Sequence, residues 1–229
     1  MRLLALDTSS LACSVAVDID GTIVERHEEQ PREHTRLLMP MIRSALEEAG
    51  ASLPDFDAIV LGNGPGSFIG MRIAASVAQG LAHGASLTIA PVSSLAAVAV
   101  RVFADTDARE VVVAQDARMN EVYLGMFERG DSGLPVARAA ERLQVIDVIP
   151  ELDPGSVVGR VAAGFGWQRY PELLAANRDR IGAQADALHP RATDLLALGA
   201  DIVRSGKTVL PQDVVPAYLR QKVAEKPSS

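Results

Sequence analysis

The sequence predicts an α/β protein made of two related halves, the second reduced. Three observations carry that expectation. Three alternating apolar runs at the N-terminus are separated by tight turns. The hydrophobic period then changes from 2 to 3.6 and alternates with short apolar runs as far as residue 104. After the polar stretch DTDARE (105–110), a second pair of apolar runs brackets another turn.

Residues 2–7 (RLLALD), 12–19 (ACSVAVDI) and 22–26 (TIVER) read as strands, with Thr8-Ser9-Ser10 and Asp20-Gly21 as the turns of an antiparallel meander. From 34 to 48 apolar residues fall at 37, 38, 41, 42, 45, 46 and 49, the spacing of a helix; Gly50 is placed to stop it and Pro40 to kink it. Residues 57–61 then read as a strand, 69–82 as a helix, 86–90 as a strand and 92–103 as a helix. The order βββαβαβα is that of a ribonuclease-H-like half, the unit duplicated in the actin, sugar-kinase and Hsp70 superfamily. Residues 1–104 form this first domain. VVVAQDARMNEVYLGMFE (111–128) reads as two strands about a turn at 117–120 and opens a reduced second actin-like domain, 105–215. Within it 130–155 is loop-rich, 168–176 and 192–205 are helices, and 216–229 is a loose tail.

Composition narrows the function. With 48% hydrophobic residues the chain can close a core, and no apolar run approaches the roughly 18 residues of a membrane span, so a cytoplasmic chain without membrane contact is expected. The single cysteine, Cys13, lies in an alternating strand and reads as a small buried hydrophobe. A net charge of -7 argues against autonomous nucleic-acid binding; the one basic cluster in sequence is Arg220, Lys222 and Lys226 in the tail.

The candidate chemistry sits in GNGPGSFIGMRIA (62–74). A glycine-rich loop ahead of a helix can turn N–H groups toward an anion. Gly64, Pro65, Gly66 and Ser67 instead also suit a tight strand-to-helix turn with Ser67 as cap, and neither GxxxxGK[ST] nor GxGxxG is met. Asp7, at the end of the first strand, could contact a phosphate or cap its own hairpin. Asp7, Asp116 and Glu121 could converge only in three dimensions. His27, His34, His83 and His189 show no ligand spacing, and no nucleophile signature is present. No catalytic residue, cofactor or metal is therefore expected.

Both first helices are more apolar than a simple core requires. Around the second, Ile69, Ile73, Val77 and Leu81 share a face suited to the sheet, while Met71, Ala75, Ala78 and Ala82 form a small, flat one. The first helix has an apolar arc of about 200° where roughly 100° would serve. Leu38, Met39, Ile42, Leu46, Met71, Ala75, Ala78 and Ala82 are the candidate partner-binding residues, the alternative being burial under the second half.

LALDTSS, REHTRLLMPMI, GNGPGSFIGMRIA, APVSSLAAVA and PAYLR together resemble the TsaB (YeaZ) family, accessory proteins of the bacterial machinery that makes threonylcarbamoyladenosine in tRNA. The resemblance implies a non-catalytic scaffold that pairs through its first two helices with a catalytic TsaD-type subunit, or with itself when alone. It also implies a TsaE-type ATPase as a further partner, and tRNA met only through the complex. TsaD is similar and carries an HxxxH metal motif after a Pro-Val dipeptide. Matching that dipeptide to Pro91-Val92 puts Ser94 and Val98 where the metal histidines stand, so the glycine loop is expected to serve the fold. The runner-up is an enzyme of the actin-like superfamily, an ATP-dependent transferase or a glycoprotease-like peptidase.

Overall fold

The meander forms as β1 (Arg2–Asp7), β2 (Cys13–Ile19) and β3 (Thr22–Glu28), with Leu4 opposite Val17 across the first antiparallel pair. The computed structural model describes residues 1–155 and 157–220. β1 is apolar on both faces because both are covered: Leu4 and Leu6 enter one core, Leu3 and Ala5 another. The first helix, α1 (His34–Ala49), runs through Pro40 and stops at Gly50, whose φ of +61° is the left-handed cap glycine favours. β4 (Ala58–Gly62) then lies parallel to β1, and after α2 (Phe68–Ala85) β5 (Thr88–Val92) lies parallel to β4. The sheet order is β3-β2-β1-β4-β5. α3 (Ser94–Asp105) starts at Ser93, whose Oγ accepts from Ala96 N.

The second sheet repeats this plan. β6 (Glu110–Arg118) and β7 (Glu121–Arg129) form the hairpin, joined on the β7 side by β8 (Pro135–Ala137) and β9 (Arg142–Val145). β10 (Arg160–Ala163) lies parallel to β6 as β4 does to β1, and β11 (Ala183–Gln184) lies parallel to β10 as β5 does to β4. Between them α4 (Phe165–Arg169) and α5 (Pro171–Ala176) replace the single helix expected at 168–176: Pro171 begins a new helix, and the residue before a proline avoids the α region. No counterpart of α1 is present among the described residues of this half, and β8 to β11 are too short to give a sequence pattern.

The two halves exchange their last helices. α3 packs on the second sheet through Leu95, Val98, Val102 and Phe103, against Val111, Val113 and Phe127. α6 (Ala192–Arg204) returns to the first sheet, with Leu195 and Leu196 on Leu3, Ala5 and Val60. Gly199 permits that approach, since a Cβ there would lie 2.3 Å from Val60 Cγ2. The division at 104/105 therefore marks the change of sheet but does not delimit two separate packing units.

Residues 209–220, which take in the described part of the expected loose tail (216–220), form a strap. Ile89 and Val209 exchange backbone bonds, Gln79 Nε2 donates to Pro211 O, Val214 is buried in the first core, and Asn63 Nδ2 donates to Val215 O. Arg220 ends it on the other half, paired with Glu121 and donating to Ala117 O. Lys222 and Lys226 lie outside the described residues.

Candidate functional site

The strand ends bring Asp7, Thr8-Ser9 and the glycine loop into one knot. Asp7 Oδ1 accepts from Ser9 N at 2.7 Å and Ser9 Oγ at 2.8 Å, and Oδ2 accepts from Ser94 Oγ at 2.6 Å. Ser94 Oγ in turn accepts from Gly64 N. Burial pushes the Asp7 carboxyl above the ordinary aspartate range, opposed by the bonds from Ser94 and Ser9. Ser67 N donates to Ser9 O, Ser67 Oγ accepts from Gly70 N as the cap of α2, and Thr8 Oγ1 donates to Gly70 O. The glycines are close-approach residues: a Cβ on Gly66 would lie 2.2 Å from Ser9 O, and one on Gly70 1.9 Å from Thr8 O. The loop thus spends the Gly64 and Ser67 amides within the protein rather than on an anion.

In front of this knot a cavity of about 710 Å³ separates the halves. One wall is Ser9 to Leu11, His34 and Gly66 to Met71; the opposite wall is Gln115 to Met119, Tyr123, Phe165 and His189; Tyr218, Leu219 and Arg220 close one side. Asp7, Asp116 and Glu121 do not converge here. Asp7 is turned into the knot, Asp116 accepts from Tyr170 Oη and pairs with Arg118, and Glu121 holds Arg220. The histidines are dispersed: His34 Nε2 bonds Ser10 O, His83 is exposed, His27 faces Glu29, and burial pushes the His189 imidazole below its usual pKa. Among the described residues no three His, Cys, Asp or Glu side chains are placed to hold a metal ion. Ser94 is buried on Asp7, and Val98 is a core residue.

The two helix faces are the reverse of the sequence expectation. Met71, Ala75, Ala78 and Ala82 are buried inside the monomer, as are Leu38 and Ile42 of α1; Met39 and Leu46 remain outward or half-buried. The cause is the knot. Gly70 against Thr8 and Met71 against Gly64 fix the rotation of α2, and the small Ala74, Ala78 and Ala82 then let it lie close on the sheet. Ile69 is 70% exposed, while Ile73, Val77 and Leu81 are half-buried against the edge of the first core. The usable sequence signal was Gly70, which marks the side of the helix that meets backbone.

Two sheets of one topology, with a cleft between their β1–β2 and β6–β7 turns, define an α/β protein of the duplicated ribonuclease-H-like, actin-like class. A family model described as "TsaD: tRNA N6-adenosine threonylcarbamoyltransferase" matches residues 24–156. The chain is 38% identical over 226 residues to the tRNA threonylcarbamoyladenosine biosynthesis protein TsaB of Escherichia coli, spanning 99% of this chain and 97% of that one. It is 36% identical to the protein of the same name from Haemophilus influenzae, spanning 99% and 96%. A solved structure described as YeaZ from Pseudomonas aeruginosa superposes with a TM-score of 0.84 at 36% identity, covering 95% and 99% of the two chains. A second, described as an uncharacterized protein with similarity to peptidase YEAZ from the same organism, gives 0.87 at 37% identity, covering 96% and 99%. The chain belongs to the TsaB (YeaZ) family.

Proposed function

We propose that this chain is the non-catalytic accessory subunit of the assembly that transfers threonylcarbamoyl to an adenosine of tRNA. It pairs with a TsaD-type catalytic subunit, works with a TsaE-type ATPase, and pairs with itself when alone. Family membership ties it to tRNA threonylcarbamoyladenosine biosynthesis. The observation that carries the accessory role is the internal use of Asp7: its two oxygens take three hydrogen bonds from Ser9 and Ser94, and all three side chains are buried. Three of the roughly four acceptor sites of that carboxylate are taken, and its burial keeps the last from a solvated metal ion.

The peptidase reading meets the same obstacle. Ser94 Oγ and Ser9 Oγ both donate to the Asp7 carboxylate, and the nearby His34 bonds the Ser10 carbonyl, so neither hydroxyl is paired with an imidazole base. The surface that supports partner binding is the outer side of α1 and α2: exposed Met39 and Ile69 beside the half-buried edges of Leu46, Ile73, Val77 and Leu81, with Gly80 and Gly84 open to solvent so that another helix can come close. Reconstitution of the transfer from labelled threonine, omitting one component at a time, tests this role; transfer that proceeds fully without this chain contradicts it.

A further inference from the structure

We propose that the mouth of the interdomain cleft is an RNA contact surface, where Arg32, Arg72 and Arg118 meet phosphates of the tRNA and the Phe68–Tyr218 pair holds the Arg72 guanidinium in place. The proposal rests on the accessory reading above. The chain has 29 acids against 22 lysines and arginines, yet the cleft lining holds Arg32, Arg118 and Arg220 with Asp116 as its one acid. Arg220 is committed to Glu121 and Ala117 O. Arg118 is 70% exposed and shares Asp116 at 3.2 Å, while Arg32 has no ion pair among the described residues.

Arg72 adds the aromatic component. Its guanidinium carbon lies 3.8 Å from the Phe68 ring centroid, and its Nε donates to Tyr218 Oη at 3.1 Å, with no carboxylate on it among the described residues. Phe68 and Tyr218 pack tilted against each other, centroids 5.4 Å apart, and the guanidinium seated on Phe68 keeps N–H groups for phosphate. Arg32, Arg118 and Met119 all hold left-handed backbone, φ 69°, 64° and 54°, which non-glycine residues adopt at a cost. Arg118 and Met119 owe theirs to the tight β6–β7 turn, which sets their backbone at the rim of the cleft. Exposed Ile69 and Met119 would also suit a protein. Guanidiniums with a single acid in the cleft lining favour a polyanion.

The test uses the complex assembled from this chain with its TsaD-type and TsaE-type partners. The affinity of tRNA for wild type and for Arg32→Gln/Arg118→Gln is measured at several salt concentrations, with assembly followed by sedimentation. Two lost phosphate contacts should make the slope of log affinity against log salt shallower by about 1.5, with affinity several-fold lower and assembly intact. Arg118→Lys, which keeps the charge, should keep the slope, and Arg32→Gln alone at an exposed position should lower it by about half as much. Unchanged slope and affinity in an assembled complex overturns the proposal. Loss of assembly by Arg32→Gln/Arg118→Gln also overturns it, assigning these arginines to an acidic protein segment. An assembled complex whose transfer does not need this chain would instead contradict the accessory reading, with the slope still decisive for this surface.

Discussion

Ser94 Oγ donates a 2.6 Å hydrogen bond to Asp7 Oδ2 in a place where both side chains are buried. This bond joins the start of α3 to the end of β1, and through Gly64 N it also ties down the glycine loop. Its loss should be felt as stability. Ser94→Ala leaves a buried carboxyl short of a donor and frees Gly64 N, so unfolding in urea should show a loss of about 1–3 kcal/mol. A stability within experimental error of wild type would show that the knot does not depend on this bond.

The glycines of α2 should divide sharply. A Cβ on Gly70 meets Thr8 O, a backbone atom that cannot step aside, whereas one on Gly80 meets nothing within 4 Å. Gly70→Ala should therefore cost more than about 2 kcal/mol, and Gly80→Ala should add about 0.5–1 kcal/mol by helix propensity. Denaturant midpoints of the two variants measure the contrast directly. Equal effects would contradict the proposed rotation of α2.

Core and partner surface should separate in the same way. Ala78→Arg places a guanidinium against the sheet and should unfold the monomer, because an unpaired buried charge has no compensation. Met39→Glu, at an exposed position on α1, should keep the melting temperature and weaken association. Sedimentation and thermal melting distinguish the two, and a folded Ala78→Arg monomer would overturn the assignment of that face to the core.

Much of the fold was legible in the sequence for physical reasons, and so are its gaps. The meander, α1, β4, α2, β5 and α3 carry clean periods and turn residues within two residues of their bounds, except that α2 runs three residues beyond its expected end. β10 and β11 have four and two residues, below the length at which alternation can be recognised. The return of α6 to the first sheet is a tertiary choice that no local pattern encodes. The faces of α2 were misread because a helix apolar all round does not say which side is inward; close contact at Gly70 decides it. The arginine cluster at the cleft was missed because Arg32, Arg72 and Arg118 are far apart in the chain.

A pH dependence should come from Asp194 on α6. Burial raises its carboxyl to about 6, opposed by Arg101 at 3.1 Å, with Glu25 also raising it and Arg191 lowering it. A folded-state pKa above the unfolded one means that the native state binds more protons in that window, so this group's contribution to stability falls as pH rises from about 4 to about 6 and is flat beyond. Asp194→Asn lacks that titration. The stability of wild type minus variant should decline across this window, and a difference independent of pH would contradict the assignment.

The chain alone, at -7, should bind tRNA barely at physiological salt, because the few arginines at the cleft neutralise few phosphates. The central claim, accessory action without chemistry of its own, is tested most directly by the yield of threonylcarbamoyladenosine in a reconstitution where this chain is omitted or replaced by Asp7→Asn. The account predicts little product without the chain and near wild-type yield with folded Asp7→Asn, since that carboxyl serves the knot alone. Full product without the chain, or product abolished by a folded Asp7→Asn that still assembles, would contradict it.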